Sequence, residues 1–371
     1  MRLAPAASTR PVRISATILV ALGALLASLL TSAPGAHGRT PAASNPLANH
    51  PWGIFTGVAD GVYRYYPTAT GTRKALLAKI ARRPRARWFT SQNTTQEMRG
   101  LVSDYVNDVQ TAQGQDTIVP MALFRQFPNH ESHKSEPIDQ QTYKNWYNAA
   151  ANGIGNAHAM VILEPDLPVI LKDAWRPDIR EQLVTYAAGK LGALAHTSAY
   201  IDAGSADWLP VADAARLLKR SGVAKIRGFA LGGTHYDTTV NNIRYGQKIV
   251  AKLASMGIPN MHFVIDTADN GHGFTFNQYR ARHPGSDVTN PIVCQTKTQR
   301  VCETLGIPPT WKVGLAKWHL GRAAATARRL VDAYVWYNRP WLEHNTDPFS
   351  LSRALDLART TPFAMCTTPC G

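Results

Sequence analysis

Short apolar runs and amphipathic stretches alternate along the chain from Trp52 onward. The runs are Trp52–Phe55, Ala86–Phe89, Thr117–Phe124, Met160–Leu163, Ala199–Ala203, Ile226–Ala230, His262–Asp266 and Ala333–Tyr337, each of a length that suits a buried strand. Between them, Gln140–Ile154 sets Trp146 and Tyr147 toward one face, and Ile179–Ala195 does so with Leu183, Tyr186 and Leu191. Tyr245–Met256 and Leu320–Leu330 follow the same rule, as expected of helices with one buried side. Strand and helix alternating at roughly thirty-residue spacing predict a parallel sheet of βα units. Seven or eight such units are enough to close a barrel. The loops after the later strands are long: Asn270-Gly-His-Gly273 follows the seventh run, and a Thr-, Cys- and Pro-rich stretch reaches Trp311. Long loops at one end of a barrel build a cleft.

The fourth run ends in Glu164-Pro-Asp-Leu-Pro168. Proline gives no N–H to a ladder, so pairing stops here and Glu164 and Asp166 project from the carboxyl edge of the sheet. That edge is where α/β enzymes keep their chemistry. A strand-end turn with two solvated acids reads the same way.

At the N-terminus, Arg2, Arg10 and Arg13 precede an apolar stretch from Ile14 to Leu30, then small residues through Ala33, Ala36 and Gly38. This is the pattern of a secretory signal peptide over 1–38, cleaved between Ala33 and Arg39; the alternative is an N-terminal membrane anchor. A short polar leader, 39–49, would follow, and 50–371 would form one domain. The formal charge of +15 falls to +12 once the three arginines of the signal are removed. The bases are scattered, which argues against nucleic acid, and the tightest cluster, Arg82-Arg-Pro-Arg-Ala-Arg87, reads as the solvated end of a helix. Four cysteines fall in two close pairs, Cys294 with Cys302 and Cys366 with Cys370. Export makes two local disulfides the default, and no zinc spacing is present.

Polar groups recur where strands end. Asp202 closes Ala199-Tyr-Ile-Asp202, with Trp208 six residues on; the sixth run opens into Gly232-Gly-Thr-His-Tyr-Asp237. The seventh gives Asp266-Thr-Ala-Asp-Asn-Gly271, and the last gives Arg339-Pro-Trp-Leu-Glu343 followed by His344, Asn345 and Asp347. Several acids at strand ends, with tryptophan and no metal signature, suggest hydrolysis of a sugar polymer. Glycosidic cleavage needs one protonated acid at the leaving oxygen and a second carboxylate to activate water or attack the sugar. Plainer readings stand beside these. Asp266 before Thr and Asn suits a turn, His235 serves either as a loop residue or as a substrate contact, and Trp52, Trp88 and Trp146 suit the core. Trp208, between Asp207 and Pro210, is the better platform.

Val161-Ile-Leu-Glu-Pro-Asp-Leu-Pro168 resembles the Val-Ile-Glu-Pro-Asp-x-Leu signature of glycoside hydrolase family six, the cellobiohydrolases and endoglucanases acting on β-1,4-glucan. Four further segments agree in order: Tyr200-Ile-Asp-Ala-Gly204 with Trp208, Arg227-Gly-Phe-Ala230, Phe263-Val-Ile-Asp-Thr267 with Asn270-Gly271, and Asp332-Ala-Tyr-Val-Trp336 with its following Arg-Pro and Glu. The resemblance implies a distorted (β/α) barrel with long loops at its C-terminal face, and cleavage with inversion. It implies Asp166 as general acid, Asp202 as supporting carboxylate, Trp208 as sugar platform, and Arg339 and Glu343 at substrate-binding positions. Three places depart from the family pattern. Glu131 must stand in for the Asp that follows the third run, Ser205 replaces a His, and Asn345 occupies the place of the proposed base, with Asp347 the nearest acid.

The sequence therefore predicts an exported, monomeric glucanase without cofactor, nucleic-acid partner or membrane attachment in its mature form. Its catalytic residues would be Asp166, Asp202, Glu131 and Asp347, with Trp208, His235, Arg339, Glu343 and Asn345 on the substrate. A carbohydrate-binding protein of weakened turnover, or a hydrolase retargeted to another cell-surface polysaccharide, are the alternatives on the same scaffold.

Overall fold

Seven of the eight apolar runs become strands of one parallel sheet: β1 (Arg87–Thr90), β2 (Val119–Phe124), β3 (Ala159–Leu163), β4 (Thr197–Asp202), β5 (Gly228–Leu231), β6 (His262–Asp266) and β7 (Val331–Val335). They lie side by side in sequence order, in a computed structural model that describes residues 44–57, 61–125, 138–233, 235–343 and 348–365. The expected signal peptide and the first part of the leader, 39–43, lie outside the described residues.

The pleat sorts side chains into two layers, because successive residues of a strand face opposite ways. Leu123, Leu163, Ile201, Phe229 and Phe263 stand opposite one another across β2 to β6. They share a core with the helix residues Trp146, Leu183, Ala187 and Ile249. The alternate row holds Ala122, Ile162 and Tyr200, then Ala230, Val264 and Ala333, and packs inside the barrel without helix partners. Edges β1 and β7 share no ladder. Their seam is bridged by Ala86 N donating to the Trp336 carbonyl at 2.9 Å and by Trp88 Nε1 donating to the Tyr337 carbonyl at 2.6 Å.

Helix Gln140–Ile154 has the expected bounds and buries Trp146 and Tyr147. The helix expected at Ile179–Ala195 spans Pro177–Gly192, starting on a proline that suits a first turn. The one expected from Tyr245 begins earlier, at Thr239, because the Thr238 side chain accepts from Asn241 N and caps it. Two expectations fail. Trp52–Phe55 is not a strand of the sheet: Trp52 makes a single parallel bridge to Ile118, and Gly53 sits so close to Val109 that a Cβ would fall 2.4 Å from it. The arginine cluster at 82–87 is not a solvated helix end either. Arg83 and Arg85 are 5% and 4% exposed, and Arg85 donates to the carbonyls of Ile80 and Arg83, a favourable use of a cation at a helix C-terminus. No described helix is long and apolar enough to cross a membrane.

One ionic cluster ties four strands together at the end opposite the cleft. Asp332, 1% exposed as a side chain, accepts from Arg227 Nε at 2.8 Å and Nη2 at 2.9 Å, and from Tyr200 Oη at 2.8 Å. His262 Nδ1 lies 3.3 Å from it. Removing one partner of such a cluster strands the other charge in the interior. Asp332→Ala should therefore lower stability by about 3–5 kcal/mol, read from urea unfolding, whereas an effect under ~1 kcal/mol would show that the cluster is not buried as described.

Candidate active site

Glu164 and Asp166 both have left-handed backbone, at φ 51° and 64°, which costs non-glycine residues free energy and persists where contacts over-determine it. The contacts are explicit at Glu164. Its Oε1 accepts from Tyr143 Oη at 2.8 Å and Tyr147 Oη at 2.7 Å, and its Oε2 accepts from Arg125 N at 3.0 Å. Glu164 is fully buried and anchors the turn to helix Gln140–Ile154. Two tyrosines four residues apart share a helix face, so both reach the same carboxylate.

The anchored turn throws Asp166 to the head of the short helix Leu167–Lys172, half-buried at the carboxyl edge. Its backbone N–H donates to Asp202 Oδ2 at 2.9 Å. Asp202 ends β4 with no exposure, and its Oδ1 accepts from Gly204 N at 2.8 Å. Burial first, then the charge of Asp166, pushes the Asp202 carboxyl up to about 8. Gly204 is obligatory on two counts: its φ is +83°, and a Cβ there would lie 2.9 Å from the Trp208 ring. Trp208 thus packs on Gly204, the residue whose N–H holds Asp202.

Trp208 is the outer ring of a three-ring stack. His235 lies 4.7 Å beneath it at 9°, and Phe276 lies 3.6 Å beyond His235 at 7°. Asp207 clamps the stack, with Oδ1 2.9 Å from His235 Nδ1 and Oδ2 accepting from Phe276 N at 3.0 Å. Burial alone would raise the Asp207 carboxyl, but the hydrogen bond and charge of His235 bring it below its ordinary value. Both faces of His235 are covered. A cavity of about 620 Å³ runs alongside, edged by Trp208, His235, Phe276, Lys172 and Arg280.

Asp266 joins the ends of β6 and β7. Its Oδ2 accepts from Tyr337 N at 2.6 Å and Asn338 N at 2.7 Å, while Oδ1 accepts from Ala268 N at 2.7 Å, two residues on. It is a turn former and a strand tie at once. Asn338 also donates through its side chain to buried Asp269, and Glu303 pairs with Arg353. Burial holds Asp266 and Glu303 up to about 7. The Tyr337 ring closes the barrel interior below this edge, packed on Gly233, where a Cβ would fall 2.2 Å from its hydroxyl.

Of the residues singled out from sequence, the fold brings Asp166, Asp202, Trp208 and His235 together. Arg339 lies across the seam with its guanidinium 4.3 Å over the Trp88 ring. Trp88 and Trp52 are half-buried rather than fully in the core, and Trp146 is fully buried. Glu343 is exposed, its N–H donating to the Pro348 carbonyl at 3.1 Å. Glu131, Asn345, Asp347, Cys366 and Cys370 lie outside the described residues. The expected Cys294–Cys302 disulfide is present, with Cα atoms 5.0 Å apart, and braces the loop that carries Glu303. Sequence reasoning missed the tyrosine pair on Glu164, the clamp by Asp207 and the third ring of Phe276. The i, i+4 spacing of Tyr143 and Tyr147 was the only available signal among these.

The raised Asp202 has a consequence for stability. Its carboxyl binds a proton more tightly folded than unfolded, where it titrates near ~3.9. Its contribution is therefore complete below that value and is lost as pH rises through about 8. The melting temperature should fall between pH 5 and pH 9, and Asp202→Asn should flatten that slope, both read by calorimetry. An equal slope in the variant would assign the pH dependence to Asp266 and Glu303 instead.

Residues 58–341 match the family described as Glycosyl hydrolases family 6. The chain is 34% identical over 223 residues to endoglucanase A of Cellulomonas fimi, covering 60% of this chain and 47% of that protein. It thus spans about half the length of that relative. Endoglucanase 1 of Streptomyces halstedii is 29% identical over 266 residues, with 69% and 79% covered. Among solved structures, the endoglucanase Cel6 of Mycobacterium tuberculosis, in complex with methyl-cellobiosyl-4-deoxy-4-thio-β-D-cellobioside, superposes with a TM-score of 0.67 at 26% identity. That alignment covers 85% of this chain and 99% of the other.

Proposed function

The chain belongs to glycosyl hydrolase family 6, and on that premise we propose that it is a secreted enzyme that cleaves β-1,4-glucan with inversion, with Asp166 as its general acid. The observation that carries this reading is the Asp166–Asp202 pair at the ends of β3 and β4. The Asp166 backbone N–H is bonded to the Asp202 carboxyl, and burial with the charge of Asp166 raises Asp202 to about 8, so the pair keeps one proton through neutral pH. Asp202 is enclosed and cannot reach a polymer. Asp166 is half-buried at the carboxyl edge, and it is the member that passes the proton to the leaving oxygen. The charge left behind is then distributed over the pair and the backbone donors that hold Asp202.

Trp208 supplies a flat face on which a sugar ring stacks, and His235 with Phe276 keeps that face from turning. Arg339, Glu343 and Asn345 contact the substrate further along. Inversion needs a second carboxylate about 6.5–9.5 Å from the acid, across the sugar. Asn345 cannot take a proton usefully, so Asp347 activates the water, and Glu131 joins Asp202 in setting the acid's affinity for its proton. The substrate names attached to the relatives, endoglucanases in each case, agree with a glucan.

Asp166→Asn keeps the shape and the backbone donor while removing the transferable proton. It should lower kcat on unactivated cello-oligosaccharides by about 10³-fold and leave their Kd within roughly threefold by calorimetry. Near-wild-type turnover in this variant would remove Asp166 from the acid role.

A further inference from the structure

At the amino end of the barrel, opposite the cleft, three histidines stand in one column. His158 and His196 immediately precede β3 and β4. The ladder keeps them in step, with Val119 N donating to the His158 carbonyl at 2.9 Å and Ala159 N to the His196 carbonyl at 3.1 Å. Neighbouring strands lie about 4.8 Å apart, and the two imidazoles take up the same spacing, with ring centres 4.7 Å apart and planes tilted by 35°. His50 adds a third ring, 4.7 Å from His158 at the same tilt. His50 and His158 are half-buried and His196 is exposed, so protons reach the column from solvent.

His50 belongs to a strap, 44–55, that crosses the starts of the strands. Asn45 Nδ2 donates to the Asp332 carbonyl at the head of β7, at 2.7 Å. Leu47 is buried in the apolar row inside the barrel. Farther on, Ile118 N donates to the Pro51 carbonyl at 2.9 Å and Gly53 N to the Ile118 carbonyl at 2.8 Å, just before β2. The strap thus reaches from β7 to β2 and closes the barrel floor. His50 lies between its two ends, with Nδ1 3.2 Å from the Asp116 carbonyl.

Neutral imidazoles pack as other flat rings do, but charged ones at this distance repel. The groups facing His158 are His50 from the strap, His196 from the head of β4 and Asp116 from the loop before β2. The Asp116 carboxylate lies 4.0 Å from His158 Nε2, but it is 83% exposed, so water and salt screen it. Burial first, then His50 and His196, hold the His158 ring below its ordinary value, while Asp116 pulls the other way.

We propose that this histidine column is a proton-operated catch for the strap: neutral rings keep 44–55 seated on the barrel floor, and protonation in mild acid releases it at His50. The sign follows from His158, which binds its proton less tightly folded than unfolded. Its contribution to seating is complete above the unfolded value near ~6.5 and is lost as pH falls through the lower folded value. The release is local, and so distinct from the global melting whose slope Asp202 governs.

Hydrogen exchange of the full-length protein, read by mass spectrometry at about pH 8 and about pH 5 and corrected for intrinsic rates, tests the catch. On acidification, peptides covering 44–55 should lose about tenfold in protection in the wild type and less than about twofold in His158→Gln. His196→Gln, at an exposed position, should give an intermediate loss, and it keeps the test open if His158→Gln folds poorly. Peptides covering β5 and β6 should hold their protection in all three proteins. No loss in the wild type, an equal loss in the wild type and the variants, or a loss shared by β5 and β6 would overturn the proposal.

Discussion

The site depends on the backbone N–H of Asp166 donating to the buried carboxylate of Asp202. That bond fixes where the turn after β3 stands relative to the end of β4. It also brings Asp166 close enough for its charge to help raise the enclosed Asp202. Its precondition lies a few residues back, where Tyr143, Tyr147 and the Arg125 N–H hold Glu164. Without that anchor nothing in the strand itself would keep two non-glycine residues, Glu164 and Asp166, in left-handed backbone within one turn. A fully buried carboxylate thus positions the proposed acid.

The same economy appears along the rest of the carboxyl edge. Asp202, Asp266, Asp269 and Glu303 are all fully enclosed, an expensive arrangement unless each ion is met by donors. Backbone N–H groups do this for Asp202 and Asp266, a side-chain amide for Asp269 and an arginine for Glu303. Because two of these donors to Asp266 come from Tyr337 and Asn338, the end of β6 and the end of β7 move as one. Trp88 carries the linkage across the open seam to β1.

The strands were legible because their apolar runs are short, continuous and regularly spaced, and a parallel sheet buried on both faces needs that pattern. Trp52–Phe55 carried the same signal and formed only one bridge, since Gly53 lets the chain press against Val109 instead of pairing along its length. Asp166, Asp202 and Trp208 were legible from motif and spacing. Helix Thr95–Gln113 was not, because its polar residues outnumber its apolar stripe, although its Thr94–Glu97 capping box is present. Nor could sequence show that Arg83 and Arg85 turn inward, or that His235 is sandwiched between two rings. Those outcomes depend on partners more than twenty residues away, or on carbonyls freed by a helix end, and neither leaves a local pattern.

In the proposed reaction an acid on one side of the sugar, with water activated from the other, fixes the stereochemistry of the product. Proton NMR during the first minutes of cellohexaose hydrolysis reads that configuration before mutarotation blurs it. The account requires the new reducing end to form as the α-anomer. First-formed β-anomer would mean retention, and would contradict an inverting acid built on Asp166 and Asp202.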